Sequence, residues 1–203
     1  MADILYTFEN KVYVNITNAC PCRCNFCIRN NGNSVGEAET LWFDAHHMPS
    51  YPEIEAAIEA WDFSGYTDDV VFCGYGEPTC AYENLLKAAK LLKSKGLKTR
   101  LNTNGLSDLI NKKPTAKELC EVMDTISISL NAPTAKKYED LCHPSFGEPS
   151  FAAMLQFAKD CKACGENLKF TVVDVISKED IEACRKIAAD MGIPYRVREY
   201  TAD

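Results

Sequence analysis

Six short runs of alternating or wholly apolar residues, each parted from the next by helix-period sequence, constrain this 203-residue chain more than any other feature. The runs are residues 11–17 (KVYVNIT), 69–73 (DVVFC), 97–104 (LKTRLNTN), 125–131 (TISISLN), 168–175 and 195–200 (YRVREY). Residues 1–10 read as a short head. Helix-like stretches cover 52–63, 82–95, 114–123, 134–142, 150–164 and 178–191; Pro52 opens the first, Gly96 closes the second, and Gly192 and Pro194 stop the last. A strand, helix, strand order predicts parallel pairing through right-handed crossovers.

A closed eight-stranded barrel packs its interior with branched apolar side chains. Here the strands carry polar residues at every second position: Asn15 and Thr17, then Arg100, Asn102 and Asn104, then Ser127, Ser129 and Asn131, then Arg196 and Arg198. With helices outside, these rows face inward and need partners, since an unpaired buried polar group costs about 1–3 kcal/mol. The expectation is an α/β chain, one domain over residues 1–203, forming a partial (β/α)6 barrel of parallel strands, open on one side. Its site would lie at the carboxyl ends of the strands. A doubly wound open sheet is the alternative, with a polar row marking an edge strand.

The first run leads straight into NACPCRCNFCIRN, which sets Cys20, Cys24 and Cys27 in a C-x3-C-x2-C array. Thiolates are soft ligands suited to iron–sulfur clusters, and a cubane held by three of them leaves one iron open. Cys22, inside the loop, is read as a non-ligand. The competing reading is a structural zinc site that joins Cys24 and Cys27 to Cys161 and Cys164. Paired zinc knuckles usually lie about 15–20 residues apart, and these stand at opposite ends of the chain.

The second run ends in Gly74-Tyr75-Gly76-Glu77, where glycine lets backbone approach a ligand and Glu77 offers a carboxylate to a cation. The third ends in Thr103-Asn104-Gly105, a turn signal. Residues 31–51 show no period and carry His46 and His47, either an exposed pair or part of a lid or substrate wall. Arg196 and Arg198 either bind an anionic group or pair with acids such as Glu199 or Asp174.

Eleven cysteines, an odd number, do not make a disulfide framework in a chain this long, and they fit a reducing compartment. The amino terminus lacks the pattern of a signal or transit peptide and no apolar run approaches about 20 residues, so a cytoplasmic protein with no membrane span is expected. The formal charge of −7 does not indicate a nucleic-acid partner gripped through phosphates.

The cysteine spacing, with Phe26 just before the last cysteine, resembles the radical S-adenosylmethionine (radical SAM) enzymes. Tyr75-Gly76-Glu77 is similar to that family's Gly-Gly-Glu, with its first glycine replaced. The stretches YVNITNACPCRCNFCIRN, VFCGYGEPT, SISLNAPTAKKYEDLC and YRVREY are similar to the small radical SAM proteins associated with TatD-type hydrolases. The resemblance implies a radical SAM core with a [4Fe-4S] cluster on Cys20, Cys24 and Cys27. It implies S-adenosylmethionine (SAM) contacts from Phe26, Gly76, Glu77, Asn104, Ser129 and Asn131. It also implies an electron donor such as flavodoxin or ferredoxin, and reductive cleavage of SAM to a 5′-deoxyadenosyl radical that abstracts hydrogen. The substrate is unidentified: a macromolecule, as for glycyl-radical-enzyme activases, or a small nucleotide-like metabolite, as in deazapurine carboxylate synthesis. With the chain ending at its last strand, no auxiliary-cluster domain is expected and the mouth should be wide. A non-catalytic iron–sulfur or zinc module, carrying electrons or binding a partner, is the reading from another class.

Overall fold

A computed structural model describes residues 2–44, 47–66, 68–165 and 167–200. Seven strands form one sheet in the order β1-β2-β3-β4-β5-β6-β7: Leu5–Phe8, Lys11–Val14, Val70–Phe72, Thr99–Thr103, Thr125–Ser129, Asn167–Val173 and Tyr195–Arg198. From β2 onward every pair is parallel. A doubly wound sheet would reverse its order partway; strict succession instead sends every crossover round the same face and curls the sheet. β1 does not pair with β7, so the barrel stays open, as expected.

One strand was not expected. β1 pairs antiparallel with β2, with Leu5 opposite Val14 and Phe8 opposite Lys11. The turn is Glu9-Asn10, both with positive φ (48° and 59°), which suits the right-handed twist of a two-residue hairpin. The head is therefore an added edge strand.

The helices are α1 (Tyr51–Ala60), α2 (Tyr82–Ser94), α3 (Ser107–Asn111), α4 (Ala116–Val122), α5 (Ala135–Cys142), α6 (Pro149–Ala163) and α7 (Lys178–Asp190). Ser50 and Glu53 form a reciprocal capping box at the start of α1. The main core lies between the helices and the outer face of the sheet, where Val14, Phe72, Leu101, Ile126, Ile128 and Phe170 meet Ile54, Leu85, Leu92, Met154 and Phe157. Each such side chain contributes about 1.5–3 kcal/mol by leaving water. Cys120 and Cys161 are core residues here, as their places on helix stripes imply.

The strand register sets the polar rows side by side on the inner face. Asn102 stands opposite Ser127, which stands opposite Lys169; Ser129 stands opposite Thr171, which stands opposite Arg196. Not all of these residues wait for a ligand. Asn15 is buried, donates to Leu41 O (2.9 Å) and accepts from Tyr75 N. Arg100 is held by Asp69 at 3.0 Å.

A second small core of Tyr6, Val35, Leu41 and Tyr75 fixes the long segment after the cysteine loop. Asp3 Oδ2 accepts from Glu39 N and Thr40 N, and Asn18 exchanges hydrogen bonds with the backbone of Phe43. The described part of residues 31–44 is thus a packed strap along β1 and not a free lid.

Candidate active site

The last carbonyls of a helix have no partner within it. At the end of α5, where His143 turns left-handed (φ 44°), the cysteine loop supplies donors for two of them. Arg23 N donates to Cys142 O at 2.9 Å and Asn25 N to Leu141 O at 3.0 Å. Ser145 N donates to Pro21 O at 2.8 Å, and His143 Nε2 lies 2.9 Å from Asn25 Oδ1. The loop leaves β2 and is clamped to the helix after β5, so Cys20, Cys24 and Cys27 are carried across the mouth of the barrel. All three are half-buried and free of disulfides.

Two buried cysteines stand among them. Hydrogen bonding from Cys142, then from Cys22, holds the Cys24 thiol down at about 4. Cys22 likewise lowers Cys20. Both donors are pushed up, Cys22 by bonding to Cys20 and Cys24, and Cys142 by bonding to Cys24. Burial raises Cys27. Cys24 is therefore disposed to be a thiolate, the form that binds soft metals, and Cys20 is shifted in the same direction.

This donor set fits a [4Fe-4S] cluster with an open iron, because cubane ligands serve separate irons and do not converge on one point. Among the described residues no three His, Cys, Asp or Glu gather to hold a single metal ion. The alternative zinc set is not assembled: Cys161 is fully buried on the inner face of α6 and Cys164, just past the helix, is exposed.

Glu77 follows β3 and is 4% exposed. Its Oε1 accepts from Thr79 Oγ1 and Thr103 Oγ1, both at 2.8 Å, and its Oε2 accepts from Asn104 N at 2.8 Å. Burial raises its pKa, against the pull of these hydrogen bonds. Glu77 N donates to Ala19 O (2.8 Å), tying the β3 end to the start of the cysteine loop. Gly76 makes that contact possible: a Cβ there would lie 2.2 Å from Thr17 O and 2.8 Å from Ala19 O. Tyr75, in place of the family's first glycine, turns away into the second core, donating to Gly32 O at 2.9 Å and meeting Trp42 edge-on.

Asn104 Nδ2 reaches Cys22 Sγ at 3.7 Å. Ser129 is half-buried at the end of β5. Asn131 follows it in a γ-turn, φ 56°, closed by Ala132 N donating to Leu130 O at 2.7 Å. Its Nδ2 bonds Cys142 Sγ at 3.8 Å, while its buried Oδ1 has no partner. Phe26 is half-buried and packs against the main core.

Contacts thus link Glu77, Asn104 and Asn131 to the cysteine loop or its supports. His47 is not among them: it is exposed and bonds Glu53 at the start of α1. His46 lies outside the described residues. Arg196 and Arg198 are exposed on the inner face of β7 and make no ion pair with Glu199 or Asp174; Asp174 Oδ1 accepts from Tyr200 N instead. Four residues near the site escaped sequence reasoning. Thr79 and Thr103 orient Glu77, and Cys142 bonds Cys24. Lys169 shares the inward parity of Thr171 on β6, which the period-two count would have revealed.

The family model of the Radical SAM superfamily matches residues 14–191. The dual-specificity RNA methyltransferase RlmN of Syntrophus aciditrophicus (strain SB) is 31% identical over 130 residues, 57% of this chain and 31% of that protein. Among solved structures, Streptococcus suis SuiB bound to S-adenosylmethionine is similar with TM-score 0.69 and 18% identity, over 93% of this chain and 40% of SuiB. A radical SAM methyltransferase from Sphaerobacter thermophilus is similar with TM-score 0.63 and 16% identity, over 96% of this chain and 68% of that chain. At these identities the structural likeness speaks for the fold alone, and the chain spans less than half the length of RlmN or SuiB. With a model match running from the end of β2 through the end of α7, the chain belongs to the Radical SAM superfamily.

Proposed function

We propose that the chain is a radical SAM enzyme in which Cys20, Cys24 and Cys27 hold a [4Fe-4S] cluster. When bound, such a cluster would supply the electron that cleaves SAM to methionine and a 5′-deoxyadenosyl radical, which would abstract hydrogen from a substrate still to be identified. The observation that carries the reading is the buried, partnerless Oδ1 of Asn131 beside the clamped cysteine loop. A buried acceptor without a donor costs about 1–3 kcal/mol, and a SAM hydroxyl or ammonium would supply one.

The chain's own residues would divide the work as follows. Glu77 Oε2 keeps a free lone pair for the SAM ammonium, while Thr103 and Thr79 fix Oε1. Asn104, Ser129 and Asn131 would line the ribose and methionyl groups. Phe26 would pack beside the cofactor, and Gly76 keeps the backbone close enough for Glu77 to sit next to the cysteine loop. A flavodoxin or ferredoxin would deliver the electron. Placement among the TatD-associated proteins rests on the four similar sequence stretches. RNA methylation is the named activity of the RlmN relative; the charge of −7 does not favour a phosphate-backbone grip here.

The test is anaerobic reconstitution with iron and sulfide, followed by incubation with SAM and dithionite. 5′-Deoxyadenosine should form, and should be absent with Cys24→Ala. A protein that takes up only zinc and binds no SAM would overturn the reading.

A further inference from the structure

The inner wall of the open barrel carries basic side chains for which the described residues supply no ion-pair partner. Register puts Lys169 on β6 opposite Ser127, Arg196 on β7 opposite Thr171, and Arg198 opposite Val173. On two neighbouring strands, Arg196 is thus diagonal to Lys169 and Arg198 stands two residues farther along β7, all on the face turned from the helices. Arg198 lies near enough to Cys73, beyond β3, and to Tyr13 on β2 to act on both electrostatically, so its charge extends across the barrel. Lys169 senses Arg100 and Arg196, and its pKa is lowered by burial first and by these like charges next. Asp69, whose carboxylate acts on Lys169 in the opposite sense, is already engaged by Arg100.

Among the described residues no carboxylate pairs with Lys169, Arg196 or Arg198, although Asp and Glu outnumber Lys and Arg by 29 to 22. Lysines on the outer surface find acids readily: Lys93 has Asp124, Lys95 has Glu59 and Lys137 has Asp180. Like charges gathered on one wall repel one another, most strongly where solvent is partly excluded, as around half-buried Lys169. Such a group is stabilised when an anion arrives.

We infer that Lys169, Arg196 and Arg198 bind a phosphoryl group of the substrate on the inner face of β6 and β7. A monocarboxylate presents two oxygens and one charge. A phosphoryl group presents three terminal oxygens and a charge near −2, matching three donors from two guanidinium forks and an ammonium. SAM carries a single carboxylate; if that took one cation, two positive charges would remain. The inference rests on the radical SAM reading for its assignment to substrate, but the anion site is tested without turnover.

The probe is inorganic phosphate, titrated at low ionic strength into the full chain while the arginine Nε–Hε signals are followed by NMR. Saturable shifts of two arginine signals are expected, with affinity at least about tenfold weaker in Arg196→Gln/Arg198→Gln, the loss expected when charge-assisted hydrogen bonds go. Arg185→Gln, on the outer surface where Arg185 pairs with Glu182, should titrate like the wild type and so controls for general charge effects. Malonate binding in preference to phosphate would overturn the phosphoryl assignment. Equal phosphate affinity in the double variant would overturn the site. SAM binding is measured on the same variants by equilibrium dialysis: its loss in a double variant that melts like the wild type would assign the arginines to SAM and overturn the inference. Absence of 5′-deoxyadenosine in the wild type with phosphate binding intact would instead sink the enzymatic reading and leave the anion site standing.

Discussion

Replacing Gly76 by alanine tests how closely the β3 end and the cysteine loop are joined. The added Cβ would fall 2.2 Å from Thr17 O and 2.8 Å from Ala19 O, and both are backbone atoms that no rotamer change can move. The φ of Gly76 is not positive, so the cost comes from contact and not from conformation. Overpacking of this kind costs about 1–3 kcal/mol. The displaced loop also loses the bond from Glu77 N to Ala19 O, worth about 0.5–1.5 kcal/mol. The sum is about 1.5–4.5 kcal/mol, which for a chain of this size lowers Tm by about 3–18 °C. Thermal unfolding of the iron-free protein followed by circular dichroism measures it, with Gly32→Ala as control because a Cβ there meets nothing within 4 Å. Equal melting of the two variants would refute the idea that this contact fixes the loop. Iron bound after reconstitution should also fall in Gly76→Ala.

Cys22→Ala should retain iron and sulfide, whereas Cys24→Ala should lose them; cluster loss in the Cys22 variant would show that the ligands are wrongly chosen. Lys169→Met should raise stability at neutral pH, since it removes a charge that burial and two neighbouring arginines disfavour. The folded pKa of Lys169 lies below its unfolded value, so the unfolded chain binds more protons between the two, and wild-type stability should rise with pH across that alkaline window. Urea titrations should show this rise in the wild type and not in Lys169→Met; parallel pH profiles would contradict it. Ser50→Ala should cost about 0.5–2 kcal/mol by opening the α1 capping box, read as a shift in urea midpoint at unchanged m-value.

Six of the seven strands were legible because they are alternating or wholly apolar runs set between helical stretches, and the inward parity of Arg196 and Ser129 follows from the period of their own strands. β1 was hidden for two reasons. The strap packs against it, so Leu5, Tyr6 and Thr7 are all buried and no alternation remains. Its turn also uses Glu9-Asn10 with no glycine to announce it. α3, at five residues, is too short to display a helical period. Spacing singled out the cysteine triad, but the bond between Cys24 and Cys142 spans 118 positions, and no local pattern encodes a contact at that range. The same holds for Asn15, whose polar side chain promised a ligand and is satisfied by Leu41 and Asp3.

The clamp between the cysteine loop and α5 also bears on how the chain is made. Each strand pairs with its predecessor in sequence, so the sheet can be laid down in the order of synthesis. The cysteine loop is the exception. Its partners at Leu141 and Cys142 emerge more than a hundred residues after it does, so the three thiols stay unsheltered until most of the barrel stands, and oxidants have their best access to them during that interval.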